Sequence, residues 1–188
     1  MQFPKAYKAL KTNTFAIEEY SIVPIRFEDR YEIMKWRNEQ MYHLRQAVPL
    51  TKENQDFYFE NIVAQLFDQE KPNQILFSYL KNGECIGYGG LVHINWIDKN
   101  AEISFIMDTK LEDDEFEMHW GIYLDLIEKV AFKELFLHKI STYAFDLRPQ
   151  LYDIFEKKMY FKEADLKEQS FFNQNYIDVI IHAKLNKL

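Results

Sequence analysis

The pair Asn82-Gly83, placed between two apolar segments, is the feature of this sequence that most constrains its fold. Both residues tolerate the positive φ angles of a two-residue β-turn, so residues 74–81 and 84–95 are predicted to form a hairpin. A further turn leads into residues 101–108, where apolar and polar side chains mostly alternate. The middle of the chain is therefore predicted to hold three successive antiparallel strands.

A long amphipathic helix is predicted after these strands. Apolar residues recur at i, i+3, i+4, i+7 and i+8 between residues 117 and 134, and residues 138–145 form the next predicted strand. Because a helix connects them, strands 101–108 and 138–145 are expected to be parallel, whereas their neighbours are antiparallel. We predict an α/β (α+β) fold, with a mixed, mostly antiparallel central sheet, helices on both faces and one parallel strand pair that splays apart.

The other segments complete the sheet and flank it. They are a strand at 20–27, a helix at 28–40, a second helix after Thr51 with Tyr58, Ile62 and Leu66 on its apolar face, a short helix after Pro149, and a hairpin of 161–171 and 176–184. Residues 1–19 are weakly patterned. We therefore treat 1–19 as an N-terminal arm and 20–188 as one domain.

Composition excludes several functional classes. The 188 residues, 47% of them hydrophobic, suit one domain that buries roughly 70% of its unfolded surface. A net charge of −7 and the lack of a basic stripe argue against nucleic acid as a partner. No segment resembles a signal peptide or reaches the roughly 20 apolar residues that span a bilayer, so we expect a cytoplasmic protein without membrane attachment. The single cysteine, Cys85, excludes an internal disulfide and a thiolate metal cluster.

Three segments, in this order, carry a resemblance to a known family: AEISFIMD at 101–108, WGIYLDLIEKVAFKELFLHKISTYAFD at 120–146 and KEADLKEQSFFNQNYIDVIIHAKL at 162–185. Together with the predicted element order they resemble the GNAT superfamily of acyl-CoA-dependent N-acyltransferases, over about residues 20–185. The stretches WRNE at 36–39 and IGYGGLVHIN at 86–95 resemble two of its branches. These are the N-acetyltransferases of amino-sugar nucleotides and the ribosomal-protein N-terminal acetyltransferases.

The resemblance implies acetyl-CoA as cosubstrate and no metal ion. In the family, a Q/R-x-x-G-x-G/A loop before the long helix binds the pyrophosphate of CoA through backbone N–H groups. Counting back from Gly121 places this motif on residues 115–120, where every small or basic position is replaced. The implied CoA contacts are the backbone of Phe105, Ile106 and Met107 for pantetheine, residues Met118, His119, Trp120 and Gly121 for the pyrophosphate, and Tyr152 beside the thioester.

The resemblance also implies catalytic residues. In the family a carboxylate on or near the fourth strand takes the amine proton, and Glu102 occupies the matching position, with His93 as the alternative base. Tyr152 is the nearest match to the tyrosine that protonates the leaving thiolate, and Tyr143 is a spare candidate. Acceptors dock after the first helix, where this chain has Trp36, Arg37 and Asn38.

These residues predict an acetyl-CoA-dependent N-acetyltransferase that acts on a primary amine, with an amino-sugar nucleotide or similar small molecule as the first choice of acceptor. A protein N-terminal acetyltransferase of the ribosomal-protein kind is one alternative. A catalytically silent GNAT-fold binding module is another, because the pyrophosphate loop is acidic and poor in glycine. A third is a hard cation bound by the acids at 112–115. We expect a monomer or a homodimer.

Overall fold

The computed structural model describes residues 2–187 and consists of one sheet with helices on both faces. Among these residues the strands are β1 Phe15–Ile17, β2 Tyr20–Pro24, β3 Ile75–Lys81, β4 Glu84–Asn95, β5 Asn100–Met107, β6 Lys139–Phe145, β7 Phe161–Phe172 and β8 Asn175–Leu185. The α-helices are α1 Arg30–Glu39, α2 Lys52–Tyr58, α3 Ala64–Leu66, α4 Phe116–Glu128 and α5 Gln150–Lys157.

The sheet has the predicted mixed character. Its strand order is β1-β2-β3-β4-β5-β6-β8-β7, and β5 and β6 form its parallel pair. This pairing covers only Asn100–Glu102 of β5 and Lys139–Ser141 of β6, after which the two strands separate. The predicted hairpin of β3 and β4 is confirmed, and φ is positive at both Asn82 and Gly83 of its turn. The splayed pair therefore opens the sheet near its centre.

The second predicted helix differs from a regular helix. After α2 the backbone widens into a π-helical segment, Phe59–Val63, before α3 begins. A π-turn adds one residue, so the residues that follow rotate relative to the 3.6-residue pattern. Phe59 and Val63 are consequently buried, whereas Ile62 is 43% exposed and was wrongly predicted as an apolar-face residue.

The N-terminal residues pack into the same core as the rest of the chain. The Tyr7 hydroxyl donates to the Leu76 carbonyl oxygen at 3.0 Å and accepts from the Leu76 N–H at 3.1 Å, while its ring stacks on Phe67. Strand β1 adds to the edge of the sheet through β2. Within residues 2–187, no helix has the length and apolarity needed to cross a membrane.

Candidate functional site

The separation of β5 from β6 leaves a cleft in the middle of the sheet. It holds a cavity of about 100 Å³. Residues of β5, β6, α4, α5 and the loops after α1 and β6 line it, among them Arg45, Glu102, Phe105, Trp120, Tyr143, Arg148 and Phe155. The cavity is thus bounded by the α1–α2 loop and by α4 and α5.

The peptide groups of β5 alternate between the neighbouring strand and the cleft. Asp108 N–H donates to the Ile86 carbonyl oxygen at 2.8 Å, so Ile106, two residues earlier, also faces β4. Phe105 and Met107 face the cleft, and the Met107 carbonyl oxygen accepts a hydrogen bond from Gln40 Nε2 at 2.8 Å. Of the three residues expected to pair with pantetheine, Phe105 therefore has a peptide group that faces the cleft and is free of the Gln40 contact.

Aromatic side chains form the wall of the cleft on the α4 side. The Phe105 ring stacks on Tyr123 with a centroid distance of 3.8 Å, and the Trp120 ring meets it edge-on at 5.0 Å. Trp120 is buried among Phe105, Phe116 and Phe155, and its indole N–H has no hydrogen-bond partner. Trp120 thus lines the cleft without filling it.

The predicted pyrophosphate loop is itself helical, because α4 already begins at Phe116. His119 N–H donates to the Glu115 carbonyl oxygen at 3.0 Å, so it is not available to an anion. The N–H groups that lack an intrahelical partner are those of the first turn, residues 116–118, and of the expected ligands only Met118 belongs to it. The Met118 side chain is 42% exposed, so it does not close the cleft.

Two other residues of the expected loop have structural contacts in the interior. The His119 imidazole is fully buried, with Nδ1 3.1 Å from the Tyr79 hydroxyl and Nε2 3.2 Å from Glu115 Oε2. Burial lowers the pKa of His119. Gly121 is buried in α4, where an added Cβ would lie 3.4 Å from Lys158 Cε. His119 thus connects α4 to β3, and neither residue is available to a ligand in the interior.

The acids around the start of α4 face different partners. Glu112 forms an ion pair with Arg148 at 3.2 Å, and the two side chains are 14% and 12% exposed. Burial raises the pKa of Glu112 and lowers that of Arg148. Glu117 pairs with Lys157 at the surface. Among residues 2–187, no group of three or more His, Cys, Asp or Glu side chains is arranged to hold a metal ion.

The candidate base lies on the opposite side of the cleft. Glu102 forms an ion pair with Arg45, whose guanidinium carbon lies 4.5 Å from the centroid of the Tyr143 ring. The carboxylate, the guanidinium and the phenol therefore form one cluster at the α1–α2 loop. His93 is exposed and has φ 52° at an irregular position in β4. It borders a second cavity together with Arg37 and Arg45.

The two tyrosines named as proton donors point in different directions. The Tyr152 hydroxyl donates to Asp146 Oδ1 at 2.8 Å, and its ring stacks on His182. Burial and this hydrogen bond raise the pKa of Tyr152. The residues of α5 that line the cavity are Leu151 and Phe155, whereas Tyr143 of β6 lines it directly.

The three expected acceptor residues lie within the last turns of α1, not after it, and have different surroundings. Trp36 is 1% exposed and belongs to the core, so its ring is not available to stack on an acceptor. Asn38 bonds to the backbone N–H and carbonyl oxygen of Leu50 and so orders the α1–α2 loop. Arg37 alone borders the cavities on this side of the sheet, donating to Gln46 Oε1 at 2.9 Å and to the Tyr88 hydroxyl at 2.5 Å.

Sequence reasoning did not identify Gln40 and Arg148 as residues of the cleft. Gln40 follows the last residue of α1 and is fully buried. The sequence shows only a polar residue at a helix end, which gives no indication of burial. Arg148 does carry a signal, because it lies between a strand and a helix that begins after Pro149. Strand-to-helix junctions beside a splayed pair are places where ligands bind.

Comparison with known proteins identifies the family and the fold of the chain. The family described as an acetyltransferase (GNAT) domain matches residues 22–181. No curated protein sequence matches the chain significantly. Among solved structures, the spermidine N-acetyltransferase from Vibrio cholerae in complex with CoA and spermine has a similar fold, with a TM-score of 0.75 at 20% identity over 90% of this chain and 97% of that chain.

Two further structures of this Vibrio cholerae enzyme are similar. A dodecameric structure in an intermediate state gives a TM-score of 0.74 at 20% identity, covering 90% of this chain and 95% of that chain. A complex with manganese ions gives 0.72 at 20% identity, with 90% and 94% covered. These likenesses show the fold, and the domain match extends over most of the sequence. The chain therefore belongs to the GNAT acetyltransferase family and is an N-acetyltransferase.

Proposed function

We propose that the protein transfers the acetyl group of acetyl-CoA to the primary amine of a small molecule that also carries an anionic group. The observation that carries this proposal is the parallel pair β5–β6, which is hydrogen-bonded only as far as Glu102 and Ser141. Beyond that point the Phe105 peptide group faces open space between the strands. An extended chain with amide groups, such as pantetheine, can pair there as an added strand would.

The first turn of α4 supports binding of the diphosphate part of the same molecule. Its N–H groups, on residues 116–118, have no partner within the helix and lie at the positive end of the helix dipole. The group bound here supplies an activated thioester. The chain's own residues would hold it, exclude water through the aromatic wall of Phe105 and Trp120, and manage the protons.

We assign the proton transfers to the cluster on the opposite side of the cleft. The amine nitrogen attacks the thioester carbonyl carbon, the C–S bond breaks, and Glu102 accepts the proton that the amine loses. Glu102 must leave Arg45 or act through a water molecule to do so, and His93 is the second candidate base. Tyr143 lines the cleft, so it is a better placed donor to the departing sulfur than Tyr152, whose hydroxyl is bonded to Asp146.

The charge of the acceptor side favours an acceptor with an anionic group. Arg37 and Arg45 both border the second cavity, which His93 also lines. Arg37 forms no ion pair with a carboxylate among residues 2–187. A planar guanidinium suits phosphate or carboxylate. A polyamine, the class that includes the spermine bound in the Vibrio cholerae structure, would be repelled by Arg37, whose charge no carboxylate among residues 2–187 balances. The amino-sugar nucleotide expected from the sequence is one acceptor of the proposed class.

Transfer of labelled acetyl groups from acetyl-CoA tests this proposal directly. An amino-sugar phosphate or amino-sugar nucleotide, spermidine and a peptide with the N-terminus of a ribosomal protein are offered in parallel. We expect the phosphorylated amino sugar to give the highest kcat/KM. Arg37→Gln should lower that kcat/KM by about tenfold or more and leave transfer to an uncharged amine unchanged. A preference for spermidine over the anionic amine would refute the acceptor class.

The assembly of the protein is also open to a direct measurement. We propose the monomer or homodimer expected from the sequence, whereas one of the similar structures is described as dodecameric. Size-exclusion chromatography with light scattering, at a subunit mass of 22.8 kDa, separates these states.

A further inference from the structure

A largely buried ion pair joins the two loops that end the splayed strands. Glu112 belongs to the loop that follows β5, and Arg148 belongs to the loop that follows β6. Their contact therefore spans the cleft at the end where β5 and β6 lie apart. We refer to this contact as the Glu112–Arg148 latch.

The surroundings of Arg148 are those of an anion site. Its guanidinium carbon lies 5.6 Å from the Phe116 ring centroid and 6.0 Å from that of Trp120, the two aromatic residues at the start of α4. Glu112 is its carboxylate partner within the part of the chain that the structure describes. Because a desolvated guanidinium without an anion is costly, a negative group has to occupy this position in every state of the protein.

A second ion pair joins α4 to the end of α5, and it differs from the latch in its exposure and its position. Asp125 of α4 pairs with Lys158 at the end of α5 at 2.6 Å, but its carboxylate is 44% exposed and neither residue lines the cavity. Exposed pairs of this sort contribute little and can be removed without consequence for the cleft. Asp125 therefore offers a matched control for the loss of one negative charge.

We propose that Glu112 occupies the anion site of Arg148 only while the cleft is empty, and that the pyrophosphate of CoA replaces it when the cofactor binds. Arg148 thereby supplies the positive charge that residues 115–120 lack, since acidic, aromatic and apolar residues stand at the small and basic positions of the family motif. This inference rests on the proposed use of acetyl-CoA and adds to it a residue that recognises the phosphates and a carboxylate that competes with them.

The exchange follows from the chemistry of the two anions. A pyrophosphate offers more negative charge than one carboxylate and accepts the two parallel hydrogen bonds of a guanidinium. Glu112, once displaced, can turn to solvent with its neighbours Asp113 and Asp114, which are exposed. The cost of displacing Glu112 lowers the affinity for the cofactor. The latch therefore sets the concentration of CoA at which the cofactor replaces Glu112 at Arg148.

Calorimetric titration with CoA and with phosphate-free pantetheine tests the latch. Glu112→Gln removes the competing charge and keeps the shape, so it should bind CoA about threefold to tenfold more tightly than the wild type. Arg148→Gln should weaken CoA binding by about tenfold to a hundredfold, and Arg148→Lys by less, because the charge remains without the planar fork. Pantetheine should bind all of these proteins equally, and Asp125→Asn should bind CoA as the wild type does.

The outcomes separate the latch from the proposed function. If Glu112→Gln binds CoA no more tightly than the wild type, or if Arg148→Gln loses pantetheine as much as CoA, the latch is refuted while acetyl transfer stands. If neither the wild type nor any variant binds CoA or pantetheine, the proposed function fails and the latch with it. Should Arg148→Gln fail to fold, as judged by thermal unfolding, Glu112→Gln and Arg148→Lys still decide the matter.

Discussion

Two tyrosines near the cleft differ, at the scale of single residues, in what their hydroxyl groups contact. Tyr143 lines the cavity beside Arg45, whereas the Tyr152 hydroxyl donates to Asp146. We expect Tyr143→Phe to lower kcat by about tenfold to a thousandfold, because the departing sulfur loses its proton donor. Tyr152→Phe should change kcat little and cost about 1 kcal/mol of stability through the lost hydrogen bond. Steady-state kinetics and urea unfolding of both variants check this; a larger kcat loss in Tyr152→Phe would reverse the assignment.

The sequence indicated which residues suit a functional site more readily than the directions in which their side chains point. The segment around Trp36 and Arg37 was expected to face the acceptor, but of these two only Arg37 borders a cavity, because consecutive helical residues point about 100° apart and Trp36 falls on the core side. Glu102 was predicted as the base from its match to the strand position of the family's carboxylate, and it lines the cavity. Its partner Arg45 lies 57 residues away in sequence, and no local pattern reveals a contact between a loop and a strand.

Helices and strands, the next scale, were predicted well where a regular period holds. The hairpin of β3 and β4 and the helix α4 follow their patterns closely. The π-helical segments Phe59–Val63 and Lys129–Glu134 were not predicted, since a single widened turn has no sequence signature and changes which residues face inward. The start of α4 at Phe116 lies within one residue of the prediction, so most of the motif that was counted onto residues 115–120 is helical. The residues that replace the glycines of that motif are compatible with a helix.

Two glycines allow a test of how tightly the central elements approach one another. A Cβ at Gly89 of β4 would lie 2.1 Å from the Ser104 carbonyl oxygen and 2.5 Å from the Tyr123 hydroxyl, so Gly89→Ala should destabilise the fold by about 3 kcal/mol. Gly121 in α4 meets only the flexible end of Lys158 at 3.4 Å. Gly121→Ala should therefore stabilise the protein by about 0.5–1 kcal/mol through helix propensity. Urea unfolding measures both, and equal stabilities would contradict the packing described.

For the whole molecule, the topology could be predicted because short connections and one helical crossover leave few alternatives. The mixed sheet and its splayed pair follow from that order. The role of the first 19 residues could not be predicted from the sequence, because Tyr7 reaches the core through hydrogen bonds to Leu76, 69 positions away. Aromatic residues in a weakly patterned segment gave no indication of where they pack, and strand β1 has only three residues.

Two buried histidines, His119 and His182, and the half-buried His43 make the stability of the whole molecule depend on pH. Burial lowers the pKa of His43, His119 and His182, and that of His43 falls from 6.5 to about 3, with the charge of Arg148 as a second cause. Below about pH 6.5 the unfolded chain therefore binds protons that the folded chain does not, so the free energy of unfolding decreases as the pH falls toward the folded pKa.

Between about pH 7 and about pH 5.5, above the range where carboxylates usually titrate, His43 alone should account for about 1 kcal/mol of this loss. Urea unfolding at both pH values should show a loss smaller by that amount in His43→Gln, whereas His138→Gln, which removes an exposed imidazole, serves as the matched control. If His43→Gln loses as much free energy of unfolding between the two pH values as the wild type, His43 takes up its proton in the folded protein. The positive charge of Arg148 would then be balanced more completely than by its contact with Glu112 alone.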